Sequence, residues 1–317
     1  MDRRDFLKIA GAGIAASAVA PGFLPGSAFA GSAGGTQRPR LHLFSKVLQF
    51  LDYRELAESV AALGFDGVDL TVRSGGHVEP EHFERDLPLA VNAMKEAGLN
   101  CEMIVTKIVD AGNQRDFDML ALAQSLGVRS YRLGGLKYEK DTPPMVMVER
   151  YTEQLAALAE WNREIGITGM YQNHSGEGHF GASAWDIYLA VRDLDPNELG
   201  IQFDIRHAVT EGGRKWPDSV RLLQPHTRSL AFKDFIWAEV EGQWKLVNTP
   251  IGEGMVDFSR YFGMLKAAKT DLPVSIHCEY DLGGAEKGIR EPAMPKEQIL
   301  AAIRRDVAAT EKLWDGA

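Results

Sequence analysis

The strongest constraint on this chain is an alternation. From residue 40 onward, short β-type runs are followed by amphipathic helical stretches eight times without a break. Strands are predicted near Leu41–Lys46, Gly67–Arg73, Asn100–Lys107, Val128–Gly134, Thr168–His174, Gly200–Ile205, Arg228–Phe235 and Pro273–Tyr280. The helical stretches lie near Tyr53–Leu63, Leu87–Ala97, Arg115–Leu126, Val146–Ile165, Ala184–Val191, Asp218–Leu223, Phe258–Ala268 and Lys296–Trp314. Gly64, Gly98, Gly127 and Gly166 each stand between a helical run and the next strand, the place of a helix C-cap. Strands alternating with helices pair in parallel. Eight such units without a Gly-x-Gly-x-x-Gly fingerprint favour an α/β fold closed as a (β/α)₈ barrel over a doubly wound sheet.

The first thirty residues stand outside this pattern. Asp2-Arg3-Arg4-Asp5-Phe6-Leu7-Lys8, the apolar run Ile9 to Ala20 and Ala28-Phe29-Ala30 follow one another as a twin-arginine signal, its h-region and a cleavage site. The expected organisation is a signal peptide over residues 1–30, a Gly/Ser-rich linker over 31–39 and a TIM barrel domain over 40–317. The apolar run is too short and too rich in Gly and Ala for a stable membrane anchor. The expected location is the periplasm, with the twin-arginine translocon as partner during export. Such cargo crosses folded, so folding takes place in the reducing cytosol. Cys101 and Cys278 are the only cysteines and form no disulfide framework. With a formal net charge of −9 and scattered basic residues, nucleic acid is not the expected partner. A homo-oligomer is compatible with the composition, which does not specify one.

In a barrel of this kind the chemistry sits at the C-terminal ends of the strands. The polar residues there are Arg73 with Gly75-Gly76-His77 after strand two, Lys107 after three, Gln172-Asn173-His174 at five, Gln202-Phe203-Asp204 with Arg206 and His207 at six, Lys233-Asp234 at seven, and His277-Cys278-Glu279 at eight. The strand period of two puts Gln172 with His174, Gln202 with Asp204, Ala231 with Lys233, and His277 with Glu279 on common faces. Inward-facing Asp204 and Glu279 would bring two carboxylates together near His174, His207 and Lys233. Such a set suits a divalent cation, Mn²⁺, Mg²⁺, Co²⁺ or Zn²⁺, which would polarise a carbonyl and stabilise an enediolate. Gly75-Gly76-His77 is either a tight turn or a loop that carries His77 over the mouth beside Arg73. The stretch from Ile236 to Val256, with Trp237, Trp244 and Gly252-Glu253-Gly254, is either a substrate-contacting βα loop or a hairpin on the rim.

Four segments carry a resemblance: Ala62-Leu63-Gly64-Phe65-Asp66-Gly67-Val68-Asp69-Leu70, Gln172-Asn173-His174, Phe203-Asp204-Ile205-Arg206-His207, and Lys233-Asp234 followed by Gly252-Glu253-Gly254. In order and spacing the chain resembles the sugar phosphate isomerase/epimerase superfamily, the xylose isomerase-like barrels, over its whole length beyond the signal. The resemblance implies a metal held by Glu, Asp, His and Glu on strands five to eight, with the two glutamates exchanging a proton. Asp204 and Glu279 match their slots. Gln172 stands for the first Glu and Ala231 for the His.

The expected function is an isomerase or epimerase acting on a sugar, keto-sugar or polyol, with a small-molecule carbohydrate as partner. Glu279, Lys233 and His207 are the expected catalytic groups. Asp204, Glu279, His174 and Gln172 are the expected metal ligands, and Arg73, His77, Arg206 and His277 the substrate contacts. A lyase or dehydratase on related sugars, and a carbohydrate-binding barrel without turnover, are the alternatives. The departures at Gln172 and Ala231 leave three outcomes open: substitute ligands, a centre in which Lys233 supplies the positive charge, or binding alone.

Overall fold

The structure, a computed structural model, describes residues 38–317. The expected signal peptide and residues 31–37 of the expected linker lie outside the described residues. The barrel strands are β1 (Leu41–Phe44), β2 (Gly67–Thr71), β3 (Asn100–Val105), β4 (Ser130–Arg132), β5 (Thr168–Gln172), β6 (Leu199–Asp204) and β7 (Thr227–Phe232). An antiparallel hairpin of β8 (Asp234–Val240) and β9 (Gln243–Thr249) follows, and then β10 (Val274–Ile276). The eight barrel strands close in the order β1-β10-β7-β6-β5-β4-β3-β2, all parallel.

The helices are α1 (Tyr53–Ala62), α2 (Phe83–Glu96), α3 (Gln114–Ser125), α4 (Pro144–Ile165), α5 (Ala184–Val191), α6 (Ile205–Gly212), α7 (Trp216–Leu223), α8 (Phe258–Ala267) and α9 (Lys296–Asp315). The four glycines expected as C-caps all take positive φ, between 77° and 99°. That conformation costs glycine little and a side-chain-bearing residue much. Asp52 opens α1 with a capping box, its carboxylate accepting from Glu55 N–H while Glu55 reaches back.

Strand alternation separates two cores. Leu41, Leu43, Val68, Leu70, Ile104, Tyr131, Tyr171, Ile201, Phe203, Leu230, Phe232, Val274 and Ile276 join the apolar layer packed with the helices. The alternate residues face the barrel axis, and many there are polar: His42, Asp69, Gln202, Ser229, Ser275 and His277 are all 2% exposed or less. Burying such groups costs free energy unless they are paired, and the side chains of Gln202 and His277 have no hydrogen-bond partner among the described residues. Asp69 accepts a hydrogen bond from Ser275 Oγ at 2.7 Å.

Two differences from the expected elements shape the site. Seven of the eight strands stop two or more residues short of their expected C-terminal ends, and the sixth stops one short, so Arg73, Lys107, His174, Lys233 and Glu279 stand on the rim, free of the ladder. Helix α6 begins directly at the end of β6, with Asp204 as its N-cap accepting from His207 N–H at 3.1 Å. The Ile236–Val256 stretch takes the hairpin alternative.

Candidate active site at the barrel mouth

The mouth encloses a cavity of about 450 Å³, and its polar walls include Lys46, Arg73, Lys107, Arg132, Lys233 and Glu279. Gln172, His174, His179 and the ring of Phe44 complete much of the rest. A smaller cavity of about 290 Å³ lies among α5, α6 and α7, outside the ring of strand ends.

The register explains the convergence. Asp204 pairs with Ala231 across β6 and β7, and Ala231 pairs with Ser275 across β7 and β10. Lys233 follows Ala231 by one strand period and so enters the barrel from the same face. Its Nζ lies 3.2 Å from Asp204 Oδ2 and 2.9 Å from Glu279 Oε2. The other oxygen of Glu279 takes Lys46 Nζ at 2.9 Å. The carboxylates of strands six and eight are thus bridged by an ammonium.

These charges set the protonation states. Burial pushes the Glu279 carboxyl up, but the Lys233 and Lys46 ammoniums beside it outweigh burial and hold it well below the usual carboxylate range. Glu279 is therefore ionised at neutral pH, with its side chain 21% exposed to the mouth. Asp204 is fully enclosed, and burial raises its carboxyl despite Lys233 and the His207 N–H. Burial, reinforced by Lys233, holds His174 down at about 4. Its Nδ1 faces the Ser175 carbonyl at 2.8 Å, which can only accept, so the proton sits on Nδ1 and Nε2 keeps its lone pair.

Gln172 has its orientation fixed in the same way. Arg132 can only donate, and its Nη1 lies 2.8 Å from Gln172 Oε1. The amide nitrogen then faces Asp204 Oδ2 at 2.9 Å. A ligand oxygen turned to Arg132 and an N–H₂ turned to the carboxylate do not fit a metal centre, and Lys233 already bridges the two acids. Among the described residues no group of three or more His, Cys, Asp or Glu side chains is arranged to hold a metal ion. The expected metal set of Asp204, Glu279, His174 and Gln172 is not assembled as a ligand cluster: Gln172 donates to Asp204, and Lys233 lies between the two acids.

Several other expectations are corrected by position. His207 was expected at the strand end, but α6 carries it a turn beyond Asp204, where its side chain is 3% exposed and does not line the mouth. Its Nδ1 accepts from Ser175 N–H at 3.0 Å and lies 2.7 Å from Ser175 Oγ. His77 does not sit over the mouth: it is buried, bonded near Thr71, Ser45 and the Leu48 carbonyl. His277 is buried beneath the Phe44 ring, with centroids 4.5 Å apart. Arg206 is also buried, donating to Ser175 Oγ at 2.9 Å and to Asn248 Oδ1 at 2.7 Å. Of the four expected substrate contacts, only Arg73 lines the mouth.

The sequence reading missed Lys46, Arg132 and Asn248. Arg132 ends β4, and Lys46 lies two residues beyond the end of β1. Asn248, on β9, donates to the Glu279 carbonyl at 3.0 Å and ties the hairpin to the mouth. No local signal marks it.

Residues 57–299 match the family model described as xylose isomerase-like TIM barrel. The chain belongs to the xylose isomerase-like TIM barrel family. Residues 1–20 match the twin-arginine translocation pathway signal sequence, so this family member is exported by that route. No helix among the described residues is long and apolar enough to cross a membrane. Comparison with curated proteins gives no match.

Solved structures with the same barrel include a probable 3-DHS dehydratase from Bacillus anthracis, at 15% identity and TM-score 0.64, covering 86% of this chain and 99% of that one. The 3-keto-D-glucoside 4-epimerase from E. coli aligns at 12% identity and TM-score 0.64, over 87% and 100% of the two chains. A D-psicose 3-epimerase from Clostridium cellulolyticum H10 aligns at 12% identity and TM-score 0.65, over 87% and 99%. At these identities the likeness is one of fold.

Proposed function

We propose that this xylose isomerase-like barrel is an isomerase or epimerase of a sugar, keto-sugar or polyol, moving a proton on the carbon beside a carbonyl. It would work in the periplasm as a barrel domain over 40–317, after removal of the 1–30 signal and with 31–39 as linker. The observation that carries this reading is an ionised Glu279 on the mouth, 2.9 Å from the ammonium of Lys233. A base and a fixed positive charge side by side are what enediolate chemistry requires.

In this reading Glu279 takes the proton from carbon. Lys233 faces the oxygen on which negative charge develops. His174 stands two residues beyond the end of β5, three strands round the ring from β10, with an unprotonated Nε2 that would accept a proton from a substrate hydroxyl while Glu279 returns to carbon the proton it took. His207 and Arg206 hold Ser175 and Asn248 in place rather than touching substrate. A divalent cation is set aside because the Gln172 amide and the bridging Lys233 do not suit it, and no step is routed through one. The barrel neighbours named as epimerases and as a dehydratase support carbohydrate-like substrates and proton abstraction as the common step. A lyase would share that first step and then expel a β-hydroxyl.

The test is solvent exchange. Aldoses, ketoses and keto-glycosides are incubated with the protein in D₂O and followed by NMR. Deuterium entering at the carbon beside the carbonyl, and lost in Glu279→Gln, is the expected result. Binding of a substrate in the panel without any exchange would overturn the enzyme reading in favour of a carbohydrate-binding barrel.

A further inference from the structure

Lys46 and Lys233 are matched by Glu279 and Asp204. Arg73 and Arg132 are not matched. Both guanidiniums lie against the Phe44 ring, with Cζ at 5.5 Å and 4.8 Å from its centroid. Arg132 is 8% exposed. Among the described residues its guanidinium makes one hydrogen bond, to the neutral Gln172 amide, and Arg73 makes none. Asp69 and Glu279 act on both through space, yet neither comes within ion-pair distance. Lys107 adds a further positive charge on the same wall.

A chain of net charge −9 thus sets five of its 35 Lys and Arg side chains around the cavity at the barrel mouth. Two adjoining guanidiniums with little water around them repel each other and each loses hydration. Burial and the Arg132 charge together bring Arg73 down to about 10. An anion between them would relieve both costs.

We propose that the ligand of this mouth carries a carboxylate, as a uronic, aldonic or keto acid does, and that Arg73 and Arg132 grip it. The assignment rests on the mouth being the ligand site, as in the proposed function. The planar forks of two arginines match the two oxygens of a carboxylate. Phosphate would offer the same charge, but an exported protein meets few phosphorylated sugars, which favours the carboxylate. The Phe44 ring fixes both forks from below. The acid group would then sit on the β1–β4 side of the mouth, and the rest of the sugar would extend toward Lys233 and Glu279.

The experiment is calorimetric titration of the exported protein with D-glucuronate, D-galacturonate and D-gluconate, each against its neutral counterpart, and with D-glucose 6-phosphate. At least one acid should bind roughly tenfold or more tightly than its neutral counterpart, with a preference that shrinks in high salt. Arg73→Met and Arg132→Met should each reduce that preference. Arg73→Lys should recover only part of it. The salt titration needs no variant and stands even where a substitution disturbs folding. Equal affinity for every acid and its neutral counterpart overturns the proposal, and tighter binding of D-glucose 6-phosphate than of any acid overturns the carboxylate in favour of phosphate. Tight acid binding without deuterium exchange would leave this inference standing and remove the proton-transfer reading. Exchange on neutral sugars with no acid preference would do the reverse.

Discussion

Lys233 Nζ stands 2.9 Å from Glu279 Oε2, its ammonium inside the barrel and its carboxylate partner on the rim. The pair joins a buried charge to an accessible one. Glu279→Gln keeps the shape and removes the base. Exchange activity should fall by roughly 10²- to 10⁴-fold, the usual contribution of a positioned base. Single-turnover NMR against the parent protein measures it, and near-parental exchange would remove Glu279 from the chemistry.

Lys233→Met strips the bridge, takes from Asp204 its ammonium partner and leaves Glu279 with Lys46 alone. Breaking a buried pair on one side typically costs about 3–5 kcal/mol, so the denaturation midpoint should fall sharply. The sign of the pH effect follows from the same contact. Lys233 holds the Glu279 carboxyl low, so its loss raises that carboxyl, and the acid limb of the kcat/KM profile should move to higher pH. An unmoved acid limb in a folded variant would show that Lys233 does not tune Glu279.

Chelation should leave the protein as it was. With Lys233 between Asp204 and Glu279, protein purified without added metal should hold less than one divalent ion per chain, and its melting temperature should not change on EDTA dialysis. Elemental analysis with a thermal scan decides this. One tightly held ion per chain, with a lower melting temperature after its removal, would return Asp204 and Glu279 to the role of ligands.

Acid should weaken the fold through His77. Burial holds its imidazole at about 4, against an ordinary value near 6.5. Between those values the unfolded chain binds a proton that the folded chain refuses. The stability that neutral His77 provides is full above pH ~6.5 and is lost progressively as pH falls toward ~4, on the order of 2–3 kcal/mol. Urea melts across this range should show the slope, and His77→Asn should flatten it. An unchanged slope in that variant would place the titrating groups elsewhere, among His174, His207 and His277, which burial also lowers.

Eight helical stretches, eight barrel strands and four glycine caps could be read from the chain because each is a local periodicity or a local conformational demand. Asp204 and Glu279 could be read because a strand end is a predictable place. The cation between them could be seen only as a residue near two acids, since the bridging depends on how β6, β7 and β10 pair. His207 lies away from the mouth because a helix starts there with no linker, so a residue three positions beyond Asp204 turns behind the mouth instead of into it. His77 was lost in the same way: its turn folds down against Ser45 and Leu48, contacts remote in sequence. Lys46 and Arg132 carry no local mark of a role, because only the closing of the barrel brings them to one wall of the mouth.

The hairpin leaves the barrel and returns to it at one point. Asp234, its first residue, accepts from the backbone N–H groups of Gly252, Gly254 and Val256, each at 3.0 Å. A side chain at Gly254 would collide with that carboxylate, which is why the motif needs its glycine there. The excursion from Asp234 to Thr249 is therefore pinched shut at its base, and its Glu241-Gly242 tip, both residues at positive φ, lies at the far end of seven paired positions. Such a layout makes the tip a permissive place for change. Residues could be inserted, exchanged or lengthened there across evolution while the distance from Lys233 to Glu279 stayed fixed, so the barrel could acquire new neighbours at its rim without relearning its chemistry.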